Sequence, residues 1–297
     1  MRLSLLPTHL LLLCLPLSAL PTLPAPNTTL SLPPFPLPTP QIPTPFTIAP
    51  HPSPSLPLSP LSVSISAIAL LSYIITKSPD GRLPQEIIIY NHPHYRDLTI
   101  VVTGKRLGER LLLEYFLWGM ALIMDHMVRH KAFFDASYDL RWERNVVGVI
   151  QFLHGGSHRQ LSAGNSSRFH VQDSDAADGD DGGRIKYEYT FGRDEEVMTS
   201  GDIAMASIAA LLELASRPAS QRWDTLAARF PRCSSYVLWR NRQVGSAAGL
   251  SREVLTDAVY AAAGFGLESG DYHPLSVVAR WEGREVARGG YFEGPRG

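Results

Sequence analysis

Seventeen of the 24 prolines lie before residue 61, and Arg2 is the only Lys, Arg, Asp or Glu in that stretch; the first acidic residue is Asp80. This asymmetry divides the chain into parts that fold by different rules. A proline every few residues removes backbone donors and clashes with a helical turn, which excludes a helix interior or a central strand. Without charge patterning or a dense apolar run, such a segment does not offset the entropy of its own ordering. Residues 21–60 therefore read as a disordered or polyproline-like stalk. Residues 61–297 are long enough to bury one sizeable core.

The first twenty residues, "MRLSLLPTHLLLLCLPLSAL", follow the order of a secretory signal peptide: one positive charge, a leucine-rich run, then small residues at Ser18 and Ala19. A secreted or extracellular address is the expectation. A second uncharged run, "LSVSISAIALLSYIIT" at residues 61–76, is followed by Lys77 and Arg82. It is shorter than a typical span of about 20 apolar residues and reads as a packed strand or helix. The alternative is a membrane anchor that holds the domain in the cytosol, with the two cations on the cytoplasmic side.

Cys14 falls in the signal-like segment, which leaves Cys233 without an intrachain partner and makes it a core cysteine. Asn27 and Asn165 begin glycosylation triplets. The formal net charge is −1, with both signs interspersed, and no basic cluster of the kind nucleic acid requires.

The folded part reads as α+β. "QEIIIYNHP" and "DLTIVVTGK" are β-branched runs separated by a turn. Residues 106–130, proline-free and apolar through the middle, read as a helix buried at the domain centre. Residues 155–184 are rich in Gly, Ser and Asp and read as a disordered insertion. "IKYEYTFGR" alternates cleanly as a strand. Two helices follow, "TSGDIAMASIAALLELASRP" and the shorter "ASQRWDTLAARF", then a strand, "SSYVLWRN". The helix "LSREVLTDAVYAAAGFG" has Ser251 as its N-cap and Gly264 and Gly266 at its end, and "LSVVARWEGREVARGGYFEG" is a hairpin. The expected architecture is a mostly antiparallel sheet with that central helix and a helical layer at 200–265.

"RWERNVVGVIQFLHG" (141–155) and "RWEGREVARGGYFEG" (280–294) share their opening triplet, a Val at the seventh position, a late aromatic and a closing Gly. A shift of 139 residues superposes them and lays residues 106–130 over the 251–266 helix. The shared unit is helix, connection, hairpin. It is either a duplication or two convergent copies of a common motif. The matched residues are those a hairpin uses for cross-strand packing, so the repeat reads as structural.

Histidines carry the sharpest chemical hypothesis. His92 and His94 project to one side of a strand end, and His126 and His130 share a helix face, so the four together could ligate a divalent metal such as zinc. Met127 stands where a zinc protease needs its glutamate. His154 and His158 repeat the i, i+4 spacing in a Gly-rich segment. "VIQFLHGGS" resembles the oxyanion loop of esterases, but no G-x-S-x-G follows it. "DSDAADGDDGG" fails as an EF-hand loop, with Asp178 at the sixth position and Arg184 at the twelfth. Walker A, C-x-x-C and G-x-G-x-x-G sequences are absent. The leading expectation is a secreted or cell-surface, non-enzymatic interaction protein that binds a protein or surface ligand and needs no cofactor. A metal-dependent enzyme using the histidines is the second.

Overall fold

The computed structural model describes residues 37–78, 80–106, 108–155, 185–192, 197–242 and 249–294. Residues 37–297 form one compact unit. Its elements are β1 (Phe46–Pro57), α1 (Pro60–Lys77), β2 (Ile87–Tyr90), β3 (Leu98–Gly104), α2 (Leu113–His130), β4 (Phe134–Trp142), β5 (Asn145–His154), β6 (Ile185–Phe191), α3 (Ser200–Ala215), β7 (Thr225–Arg229), β8 (Ser235–Asn241), α4 (Arg252–Ser269), β9 (Leu275–Trp281) and β10 (Arg284–Glu293).

The first seven and the last seven elements follow one order, β-α-β-β-α-β-β. The two five-stranded sheets also have one topology, β1-β4-β5-β3-β2 and β6-β9-β10-β8-β7, with all strand pairs antiparallel. The α+β expectation holds, with two sheets in place of one. The duplication spans each half of the fold, well beyond the helix–hairpin unit. Helices α2 and α4 start and end 139 residues apart, as do β5 and β10.

The residues the repeats share have identifiable work in the hairpin. Glu143 and Glu282 sit in its turn at positive φ, 57° and 49°, with Gly283 at 76°. Val147 and Val286 are the extra residues of the same β-bulge: Leu140 opposes Gly148 while Arg141 opposes Val146, and Ala279 opposes Ala287 while Arg280 opposes Glu285. The closing glycines donate their N–H to Asp97 O and Ser234 O, both at 2.8 Å. A Cβ at Gly155 would meet Arg96 O at 2.1 Å, and one at Gly294 would meet Ser234 O at 2.9 Å.

Helices of the two repeats pack on one another. α1 lies against α3 and α4, and α3 lies against α1, α2 and α4, while each repeat's helices also rest on its own sheet. The core therefore runs through both repeats. α1 starts on Ser59, whose hydroxyl accepts from the Ser62 N–H, with Pro60 at a position that needs no donor. It is long and apolar enough to cross a membrane, and in this fold 72% of it is buried. α3 carries a capping box between Thr199 and Asp202 and is buried almost all round. Side-chain hydrogen bonds also join the repeats: His92 Nε2 with Tyr260 Oη at 3.1 Å, and Tyr95 Oη donating to Glu268 Oε1 at 2.9 Å.

Four expectations are corrected. The helix read from residue 106 begins at Leu113, and it is not the centre of the fold. Phe116, Met120, Ile123, Met124 and Met127 face inward, while Tyr115, Trp118 and Leu122 are only half-buried. The centre belongs to α1 and α3. Residues 46–57, assigned to the stalk, form β1 on β4. β1 is an edge strand, and Pro50 and Pro52 share one parity within its regular register, so their missing N–H groups fall on one side of an edge where proline is tolerated. The helix read at 219–230 is instead β7, an edge strand that buries Leu226 and Ala228 beside β8. Its helix formers yield to a sheet position that buries alternate residues.

α4 runs past Gly264 and Gly266 to a left-handed cap at Gly270. A Cβ at Gly264 would meet nothing within 4 Å. Gly264→Ala is expected to raise stability by about 0.5–1 kcal/mol, by limiting the unfolded chain and favouring the helix. A higher urea midpoint at unchanged slope is the expected reading, and a lower midpoint would contradict the open packing.

Candidate functional site

The histidines separate into two pairs. His92 is buried; the His94 backbone N–H donates to its Nδ1 at 3.2 Å, and its Nε2 meets Tyr260. The His92 and His94 rings are 5.8 Å apart. His126 and His130 stand 4.7 Å apart on α2, and His126 meets the Tyr138 ring edge-on at 6.1 Å. Burial, then the neighbouring His130 and Arg129, hold His126 below the usual histidine range. Among the described residues no group of three or more His, Cys, Asp or Glu side chains is placed to hold a metal ion. The expected four-histidine centre does not form.

The esterase-like segment is likewise committed to structure. The His154 N–H donates to Asp135 Oδ1 at 2.8 Å and the Gly155 N–H to Asp97 O, so neither is open to an oxyanion. The Cys233 thiol donates to Asp202 Oδ1 at 3.0 Å; burial, then Asp202, push it to about 12, which makes it a poor nucleophile at neutral pH. His158, the acidic segment at 173–183, Asn27 and Asn165 lie outside the described residues. A described cavity of about 200 Å³, lined by Glu86, Ile87, Thr103, Gly104, Lys105 and Arg106, is smaller than the roughly 300–1,000 Å³ of small-molecule sites.

What stands out is aromatic, and it differs between the repeats. In the first, Trp142 closes the β4–β5 hairpin beneath rings from α2: Tyr115 at 5.7 Å and Trp118 at 6.2 Å, the latter stacked at 23°. Phe46 of β1 completes the group, 5.8 Å from Tyr115 and 5.4 Å from Trp118. The rings cover one another and leave Trp142 half-buried.

In the second repeat the equivalents of Phe46, Tyr115 and Trp118 are Ile185, Val254 and Asp257. Trp281, the equivalent of Trp142, is 42% exposed. It opposes Ile185 across β9–β6, so it shares a sheet face with Ile185, Tyr187, Tyr189 and Phe191. Phe265 of α4 stacks on Tyr189 at 4.0 Å and 9° and lies 5.5 Å from Phe191, which shows that this face is the one turned to the helix. Phe265 is itself 36% exposed. A row of rings thus follows the β6 edge between two exposed members, Trp281 and Phe265.

Sequence reasoning named Trp281 only as a hairpin residue. The signal for more was the same 139-residue shift: it sets Asp257 on Trp118 and Val254 on Tyr115, so the second tryptophan loses the rings that cover the first.

No protein-family model and no curated protein matches the chain. Among solved structures, one similar chain is the tandem DUF26 ectodomain of the Arabidopsis thaliana cysteine-rich receptor-like protein PDLP8, known from a crystal structure. The two are 12% identical over 84% of this chain and 97% of that one, with a TM-score of 0.25. That protein is described as cysteine-rich; the described part of this chain holds a single cysteine, Cys233.

Proposed function

We propose that the chain is a secreted or cell-surface interaction protein that binds a polypeptide partner through the aromatic face formed by β6, β9 and α4. The carrying observation is the pair of exposed large side chains, Trp281 and Phe265, joined by half-buried Tyr187, Tyr189 and Phe191. Tryptophan and tyrosine concentrate in binding hot spots because they bury a large rigid surface with few rotamers to freeze. An aromatic row with exposed ends offers such a partner large apolar faces to cover. The leader-like first twenty residues support the extracellular address.

One experiment tests both parts. The full-length chain is expressed in a eukaryotic secretory host, recovered from the medium, and panned against a phage-displayed peptide library beside Trp281→Ser/Phe265→Ser. Soluble protein in the medium, together with peptides enriched on wild type and lost on the variant, is the expected outcome. Retention of the chain in washed membranes, with its folded domain shielded from protease added outside the cell, would overturn the address. Equal enrichment on both proteins, with matching circular dichroism, would overturn the surface.

A further inference from the structure

We propose that the opening beside Trp281 receives one arginine side chain of that partner, with the indole as its stacking face and the Asp257 carboxylate as its counter-charge. The proposal rests on the reading of this face as a binding surface and gives it a ligand chemistry.

The first repeat supplies the argument, because it shows the same hairpin tryptophan with its neighbourhood filled. There the covering groups are the planar rings of Tyr115 and Trp118, 5.7 and 6.2 Å from Trp142. The second repeat keeps the tryptophan and the helix but sets Val254 and Asp257 at those positions. Among the described residues no ring is stacked on the Trp281 indole, and a carboxylate stands at the α4 position that Trp118 holds on α2. A guanidinium is both planar and cationic; it stacks on an indole face within about 6 Å and presents N–H donors that a carboxylate accepts.

The local electrostatics agree. Glu253 precedes Asp257 by one turn of α4, so the two carboxylates share a helix face. Asp257 is solvent-exposed by area, yet the protein crowded around it and the Glu253 charge raise its carboxyl above the usual range, and Asp257 in turn helps raise the Tyr187 phenol. Among the described residues no cation is ion-paired with either carboxylate. Arg280 donates to Glu188 and Arg252 donates to the Arg217 carbonyl, while Arg284, opposite Trp281 on the same sheet face, is exposed and makes no ion pair with either carboxylate. A cation entering here meets negative charge on one side and the electron-rich face of an indole on the other.

The test uses the 15N-labelled full chain and the indole N–H signal of Trp281, assigned with Trp281→Phe. The probes are the blocked pentapeptide Gly-Gly-Arg-Gly-Gly and its Lys and Leu counterparts. The arginine peptide is expected to move the Trp281 signal saturably, the lysine peptide more weakly and the leucine peptide least, with the Trp142 signal still. Asp257→Asn is expected to weaken the arginine peptide about threefold to fivefold, the size of one partly exposed charge contact. Glu253→Gln is expected to act in the same direction by less. Equal shifts with arginine and leucine would overturn the cation site while leaving the aromatic surface standing. No shift with any probe, or full binding by Asp257→Asn, would overturn the proposal as well.

Discussion

Replacing Gly290 with alanine is expected to lower the stability of the fold by roughly 3–5 kcal/mol, read as a large fall in its melting temperature. Gly290 lies on β10, the middle strand of the second sheet, hydrogen-bonded between β8 and β9. Its φ is 144°, outside the range an L side chain adopts readily. A Cβ there would lie 1.7 Å from Leu275 O and 2.8 Å from Leu275 C. Both are backbone atoms of the neighbouring strand, so no rotamer change relieves the clash; β9 must move off β10 and take its ladder with it. Backbone strain and broken pairing together are worth roughly 3–5 kcal/mol, a large share of the roughly 5–15 kcal/mol that holds a domain together. Gly283→Ala is the control: its φ is 76°, but nothing lies within 4 Å of the added carbon, so it is expected to cost about 1 kcal/mol. A Gly290→Ala protein that melts cooperatively within about 1 kcal/mol of wild type would show that the strand does not sit where it is described.

The second large effect is expected at Ile68, in the middle of α1 and 0% exposed. Ile68→Asp puts a carboxylate among α1's packed neighbours in both repeats, and the expected loss is at least about 3–5 kcal/mol, enough to leave the chain unfolded in buffer. Ile68→Val removes one methylene and is expected to cost about 0.5–1.5 kcal/mol. The contrast separates a core helix from a membrane span. A core helix gives a detergent-free, folded wild type and an unfolded Asp variant, read by near-ultraviolet circular dichroism and urea titration. An Asp variant that keeps the native spectrum would remove α1 from the core.

These two positions also show how unevenly the sequence discloses the fold. The alternation of Ile185, Tyr187, Tyr189 and Phe191, and the Thr199–Asp202 cap, are local signals, and both elements lie where the residues place them. β1 was hidden because proline density argues against a strand unless one knows that the strand is at an edge, and edge position is a property of the whole sheet. β7 was hidden because Leu226, Ala227 and Ala228 suit a helix equally well. The duplication was visible only in its hairpin because turn, bulge and exit impose identities there. Helix packing asks only for apolar bulk, and the rest of the repeat drifted apart. Gly290 has Gln151 as its counterpart, so even a backbone constraint this severe belongs to one repeat alone. The candidate site was illegible for a related reason. Trp281 draws its meaning from what Trp142 has around it, and those neighbours come from another helix.

The way the helices meet also speaks to ancestry. α1 and α3 occupy equivalent places in the two repeats and touch each other; α1 also meets α4, and α3 correspondingly meets α2. That is the reciprocity of an isologous contact, in which each partner offers the other the same patch. A forebear with a single repeat would have carried the nearly all-apolar first helix uncovered, and would have needed a second copy of itself to hide it. A fusion of two such copies would make that pairing permanent and free them from identity. One could then keep its tryptophan sealed while the other opened its own to the outside.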